Sequence, residues 1–337
     1  MLNNYIVTYL VCSVFSLVIG IVAAASGLSV SRRWESAGST EEQYRLEKRV
    51  YLIITLVSVG LCLRLLMVPL WFGTLHSMLG SIPGAMCLTG VHNSNTPYSY
   101  LASSLKLLLP PLYGFWLILN ALDRKVASQP FMKQKLLFLT PLGILVLGES
   151  LLDAYFFFTV PYRQVSCCTS LFDLPEANIT PIVAQSWGWL VMFYALILFV
   201  WGEMVYFFYA QKRSASAARG WWFGNKAIMF METALIIATF GVFIYVLNGN
   251  FSPLFLHRPL HHCIFCLGQQ VGDALLSSGM IFLGLTFFMI YFWVASFARY
   301  RGLNPVLGDQ MTKLLGWAGA MLTGGIIILS VHLFFVL

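Results

Sequence analysis

Eight apolar stretches follow one another along this chain, with only short polar loops between them. They fall near residues 4–27, 50–72, 100–122, 136–160, 183–210, 228–248, 270–297 and 314–337. About 20 apolar helical residues cross a hydrocarbon core. Inside that core every backbone N–H and C=O needs a partner within the protein, which leaves helices or closed barrels. Runs of this length select helices. The expected fold is an all-α, polytopic integral membrane bundle of about eight transmembrane helices. It forms a single integral membrane domain over 1–337, with the lipid bilayer as its first partner. Only 10% of the 337 residues are charged, against about a quarter in soluble proteins. No loop is long enough to hold a soluble domain. The first apolar run lacks a basic region before it and a small-residue cleavage site, so it reads as a retained helix.

The loops alternate in charge. Arg32, Arg33, Arg45, Lys48 and Arg49 lie in the first, and Arg124, Lys125, Lys133 and Lys135 in the third. Lys212, Arg213, Arg219 and Lys226 lie in the fifth, and Arg299, Arg301 and Lys313 in the seventh. Loops rich in Lys and Arg stay on the cytoplasmic side. This bias predicts both termini outside, in the inner (plasma) membrane if the chain is bacterial. The net charge of +7 is then an orientation signal and a contact for anionic lipid. Nucleic acid is excluded as a partner, because no basic patch is interleaved with the aromatic residues that single strands stack on.

The even-numbered loops, on the predicted outer face, carry the soft ligands. The second holds His76, Cys87 and His92, and the fourth Cys167 and Cys168. The sixth holds His257, His261, His262, Cys263 and Cys266. The sharpest motif is His261-His262-Cys263-Ile264-Phe265-Cys266, just before the seventh span. A C-x-x-C at a helix start brings two sulfurs within reach of each other. The positive helix end lowers the first thiol's pKa and raises its thiolate fraction. Thiolate attacks disulfides, and it also binds soft metals. Cys87, His92, His257, His261 and His262 are the candidate further ligands for copper or zinc. Outer cysteines also form plain structural disulfides, but five cannot all pair among themselves.

Cys263-Ile264-Phe265-Cys266 at the outer end of a membrane helix resembles the redox pair of quinone-linked disulfide-forming membrane proteins and of the vitamin K epoxide reductase group. The resemblance implies quinone bound beside the C-x-x-C and electron relay through a second outer cysteine pair, in which Cys167 or Cys168 would stand. Those families use four or five helices, whereas this chain has eight apolar stretches.

Charges inside the spans narrow the picture further. Arg64 lies deep in the second span, and Glu149 and Asp153 lie one turn apart in the fourth. Such groups pair with one another or face a cavity, so Arg64 is expected either to pair with these acids or to hold a quinone oxygen. Glu203 and Glu232 lie toward inner helix ends, with Glu232 expected to be solvated. Covalent c-type haem is excluded, because Leu267 stands where C-x-x-C-H needs histidine; His332 is the one candidate axial ligand for buried haem. Pro110-Pro111 should kink the third span. Gly143 and Gly148, and Gly316, Ala320 and Gly324, are candidates for close helix contacts.

Three functions stand against these residues. The first is an outer-face thiol–disulfide oxidoreductase, quinone-coupled, with Cys263 attacking, Cys266 resolving, and Cys167, Cys168 and Cys87 relaying. The second is a component that binds or transports copper or zinc. The third is a non-enzymatic scaffold with structural disulfides. The partner of the first two is a periplasmic or extracellular thiol protein or metal carrier.

Overall fold

The computed structural model describes residues 3–34, 41–126, 129, 131–160, 164–165, 179–213, 226–258, 261–299 and 305–336. Among the described residues the regular structure is helical. Eight helical segments are long and apolar enough to cross a membrane, as a multi-pass membrane protein requires. They are Asn4–Arg32, Gln43–Ser81, Tyr98–Asp123, Met132–Thr159, Trp187–Lys212, Lys226–Phe255, Gly272–Phe297 and Gly308–Val336. The chain divides into two compact units, Met1–Val165 and Ser166–Leu337.

The first unit contains α1 (Asn4–Trp34), α2 (Glu41–Ser77), α3 (Leu88–Ser94), α4 (Tyr98–Leu108), α5 (Pro110–Asp123) and α6 (Met132–Thr159). The second span begins earlier than its apolar run because α2 continues through its polar entry, where Arg45 and Glu41 pair at 2.8 Å one turn apart. Such pairs support an exposed helix end. Helix α1 packs along α6 and α2. Ile19, Val57, Leu61, Leu136, Leu139 and Val146 fill the space between these helices. The α1–α6 approach is close because Gly143 lacks a side chain: a Cβ there would lie 2.5 Å from the Ala24 nitrogen and 2.7 Å from the Gly20 carbonyl oxygen.

The third span divides at Leu109 into α4 and α5. Proline has no N–H, so Pro110 and Pro111 cannot bond the carbonyls of Lys106 and Leu107, while both suit the first turn of a new helix. The break falls just beyond Lys106, a residue of the charged site described below.

The second unit contains α7 (Ile179–Arg213), α8 (Lys226–Val246), a π-helical turn (Leu247–Phe251), α9 (Ser252–Phe255), α10 (Ile264–Gln270), α11 (Gly272–Arg299) and α12 (Pro305–Val336). Helices α11 and α12 form its tightest contact. A Cβ at Gly284 would meet the Leu322 nitrogen at 2.8 Å, and one at Gly325 would meet the Ser277 carbonyl oxygen at 2.9 Å.

The two units repeat one order of elements: two long helices, a seven-residue helix, then two further spans. In each, the seven-residue helix is capped by cysteine in extended backbone. Cys87 precedes α3 with φ −148° and ψ 177°, and Cys263 precedes α10 with φ −133° and ψ 106°. This position ordinarily carries Ser, Thr, Asp or Asn, whose side-chain oxygen accepts from the first-turn N–H groups. A thiol is a weak acceptor, and neither cysteine makes a side-chain capping bond.

Candidate functional sites: a thiol pair and a buried ion quartet

The thiol pair belongs to the second unit. Cys263 caps α10 and Cys266 is the third residue of that helix, so both side chains fall on one face of its first turn. Their sulfurs lie within 4.8 Å of each other. Both are buried, with 1% and 6% of their surfaces exposed. His262 Nδ1 sits 3.2 Å from the Asn248 carbonyl oxygen in the π-helical turn, which ties the approach to α10 back onto α8. His261 is buried, and its backbone N–H donates to the Arg258 carbonyl at 3.0 Å. His257 lies in the turn after α9 with a left-handed φ of 52°. Among the described residues, no imidazole of His257, His261 or His262 joins the two sulfurs in a close group of three ligand atoms. Cys167 and Cys168 lie outside the described residues.

In the first unit Cys87 is buried at the start of α3, and His92 is buried on the same helix. His92 Nε2 lies 2.8 Å from Ser103 Oγ, and Ser103 Oγ accepts from Trp71 Nε1–H at 2.9 Å. The Tyr100 ring packs edge-on to the imidazole, 4.8 Å between centroids. Burial pushes the His92 imidazole down to about 4, against a smaller upward pull from its hydrogen bond to the Leu88 backbone and from Cys87. His92 is therefore neutral near pH 7. His76 is exposed at the end of α2.

The ion quartet lies within the spans of the first unit. Glu149 and Asp153 project from one face of α6, one turn apart. Arg64 Nη1 lies 3.3 Å from Asp153 Oδ2 and 3.6 Å from Glu149 Oε1. Lys106 Nζ reaches Asp153 Oδ2 at 2.7 Å and also contacts Glu149 Oε1. Each cation thus touches both acids, and all four are at most 3% exposed. Two hydroxyls complete the shell: Tyr9 donates to Asp153 Oδ2 at 2.8 Å and Tyr113 to Glu149 Oε2 at 2.6 Å. Arg64 Nη2 also donates to Ser150 Oγ and, at 3.5 Å, to the Val146 carbonyl. The Lys106 ammonium sits over the rings of Trp71 and Tyr9, 5.4 and 5.7 Å from their centroids. Helices α1, α2, α4 and α5 thereby all bind to two carboxylates on α6.

Arg64, Glu149 and Asp153 stand out in the sequence as charges inside apolar runs, whereas Lys106 has no evident partner there. Charge balance was the available signal. Two acids in one span call for two cations, and Arg64 and Lys106 are the basic residues that fall in or beside spans rather than in the basic loops. Tyr9, Tyr113 and Ser150 carry no comparable signal, because hydroxyl side chains are ordinary in membrane helices.

Two further expectations shift. Glu232 is not simply solvated: it is partly buried, with the Glu203 carboxyl of α7 beside it. Their positions near one level of adjacent antiparallel helices bring them together. His332 pairs through Nδ1 with Asp273 and stacks on Phe255 at 4.1 Å, so one of its two ring nitrogens is engaged by a carboxylate.

No protein-family model, curated protein sequence or solved structure matches the chain.

Proposed function

We propose that the chain is a multi-pass membrane thiol–disulfide oxidoreductase with both termini outside, working at the outer face through Cys263 and Cys266. The observation that carries this reading is the approach of two buried sulfurs across the first turn of α10. In the exchange step the Cys263 thiolate attacks a disulfide of an outer partner. The partner's S–S bond breaks, a mixed disulfide forms, and one partner thiolate leaves. Cys266 then attacks Cys263, closes the internal disulfide and frees the second partner thiol.

Alternatively the dithiol, regenerated from its disulfide by an outer dithiol that is itself oxidised to a disulfide, is a two-electron donor. Its oxidation to a disulfide releases two electrons and two protons, which a quinone takes up to become quinol. The burial of both sulfurs suits a small, apolar acceptor of that kind. Arg64, at 1% exposure and bonded to Asp153 and Ser150, is not fitted to receive a quinone ring. No quinone site is therefore assigned to it.

Burial equally favours a second reading, in which the pair is structural, because thiols sealed in apolar surroundings are inert. The soft-metal reading also draws on these buried thiols, and among the described residues the neighbouring histidines do not join them in a close group of ligand atoms.

The deciding experiment uses full-length protein in lipid nanodiscs, with an apolar quinone and a small dithiol reductant. Quinol formation should occur and should fall to background in Cys263→Ser and Cys266→Ser, while Cys62→Ser retains it. Failure of the wild-type protein to reduce quinone, with thiols that resist alkylation until unfolding, establishes the structural reading. Stoichiometric copper or zinc that is lost in His261→Ala or His262→Ala overturns the redox reading in favour of metal.

A further inference from the structure

The quartet is a ring of shared contacts rather than two separate ion pairs, and its donors are unevenly placed. Asp153 Oδ2 accepts from Tyr9, Arg64 and Lys106. Glu149 Oε1 faces Lys106 and Arg64, and Glu149 Oε2 accepts from Tyr113. Among the described residues no donor reaches Asp153 Oδ1, although this residue is 0% exposed. Arg64 Nε likewise has no acceptor. Three of the four carboxylate oxygens are thus held as anions by directed donors, and the fourth is bare.

An unpartnered anionic oxygen in an apolar interior is costly. A proton on Glu149 Oε1 or Asp153 Oδ2 would compete with two or more donors, and one on Glu149 Oε2 would share that oxygen with the Tyr113 hydroxyl. A proton placed on Asp153 Oδ1 displaces none. With Asp153 neutral, Arg64 and Lys106 still have Glu149 as an anionic partner, because each touches both acids. A proton on Asp153 therefore leaves neither cation without an anionic contact. The charged and titratable groups facing Asp153 from the packed helices are Tyr9 on α1, Arg64 on α2, Lys106 on α4, and Glu149 on its own helix; Tyr113 on α5 faces Glu149.

We propose that Asp153 Oδ1 is a reversible proton-binding site, so that the quartet serves as a proton acceptor within the spans as well as a clamp. The ligand is a proton alone. This site is independent of the thiol pair.

The test is infrared pH-difference spectroscopy on the full-length protein in nanodiscs. Acidification should produce a carboxylic-acid C=O stretching band while circular dichroism stays unchanged. The band should be lost in Asp153→Asn, and in Glu149→Gln, where Asp153 becomes the one remaining anion facing Arg64 and Lys106, it should move to lower pH. Carboxyl-¹³C aspartate incorporated into the wild-type protein should shift it to lower frequency, a readout that needs no substitution and stands if the variants fail to fold. No carboxylic-acid band in the folded protein over the titrated range overturns the proposal. A band that does not move with aspartate labelling, or that survives in Asp153→Asn, overturns it as well.

Discussion

At the scale of single residues, the first unit shows how strongly a charge inside an apolar helix depends on its partners. Removing the Arg64 guanidinium leaves two acids with one cation in a fully buried site. Arg64→Ala should therefore lose about 3–5 kcal/mol of stability, the usual penalty for an uncompensated buried charge. The double variant Arg64→Ala/Asp153→Ala restores the balance of one cation to one acid and should recover part of that loss. Denaturation of both variants in one detergent checks this, and strictly additive effects would show that the two side chains do not act as a pair. His92 supplies a second expectation. Its folded pKa of about 4 lies below the ordinary value of about 6.5. The unfolded chain therefore binds this proton first, as pH falls. The stability that rests on neutral His92 is complete above about pH 6.5 and drains away as pH falls through 4, by on the order of 3 kcal/mol at most. His92→Asn should flatten the thermal midpoint across that window, whereas an unchanged slope would place the acid sensitivity elsewhere. Sequence reading could find Arg64 and its acids because ionisable residues are conspicuous in apolar runs. It could not find which oxygen each donor reaches, since that depends on how α1, α4 and α5 lean against α6.

At the scale of helices, small residues illustrate where sequence patterns stop. Gly143 and Gly148 look equivalent in the apolar run of α6. Only Gly143 meets backbone, that of Gly20 and Ala24 on α1, whereas a Cβ at Gly148 would meet nothing within 4 Å. Gly143→Ala should separate α1 from α6 at a cost of about 1–3 kcal/mol, and Gly148→Ala should leave stability unchanged or slightly raised. Equal thermal midpoints for the two variants would contradict the close approach. The same lesson holds in α12. The four-residue spacing of Gly316, Ala320 and Gly324 suggests a contact face, yet the backbone approach to α11 is made by Gly325. At Gly324 the nearest atom is the Met280 methyl group, the flexible end of a side chain. Spacing reveals which residues share a face, but not the direction from which a neighbouring helix arrives. The break at Leu109 was more legible, because the missing N–H of Pro110 acts locally and needs no neighbour.

At the scale of the whole molecule, the number of spans was legible because apolar length is a one-dimensional property. The division into two units with one order of elements was not, since it lies in the succession of elements rather than in any residue pattern. Sidedness remains an expectation of the basic loops and has a direct check. Cysteine placed at Met86, which is 75% exposed, should react with a membrane-impermeant maleimide in intact cells. Cysteine placed at the exposed Lys125 should react only after the membrane is opened, and labelling at Lys125 from outside would reverse the orientation. The quartet also bears on how the chain is made. A charged residue at the centre of a span raises the apparent cost of inserting it by roughly 2.5–3.5 kcal/mol. Helix α6 carries two such residues and α2 and α4 carry one each, on segments that leave the ribosome in succession. Helix α6, the last of these to emerge, brings both counter-ions for Arg64 and Lys106. The earlier spans must then wait at the insertion machinery, or at a membrane chaperone, until the fourth arrives to neutralise them, which makes release into lipid a concerted event for the first half of the protein.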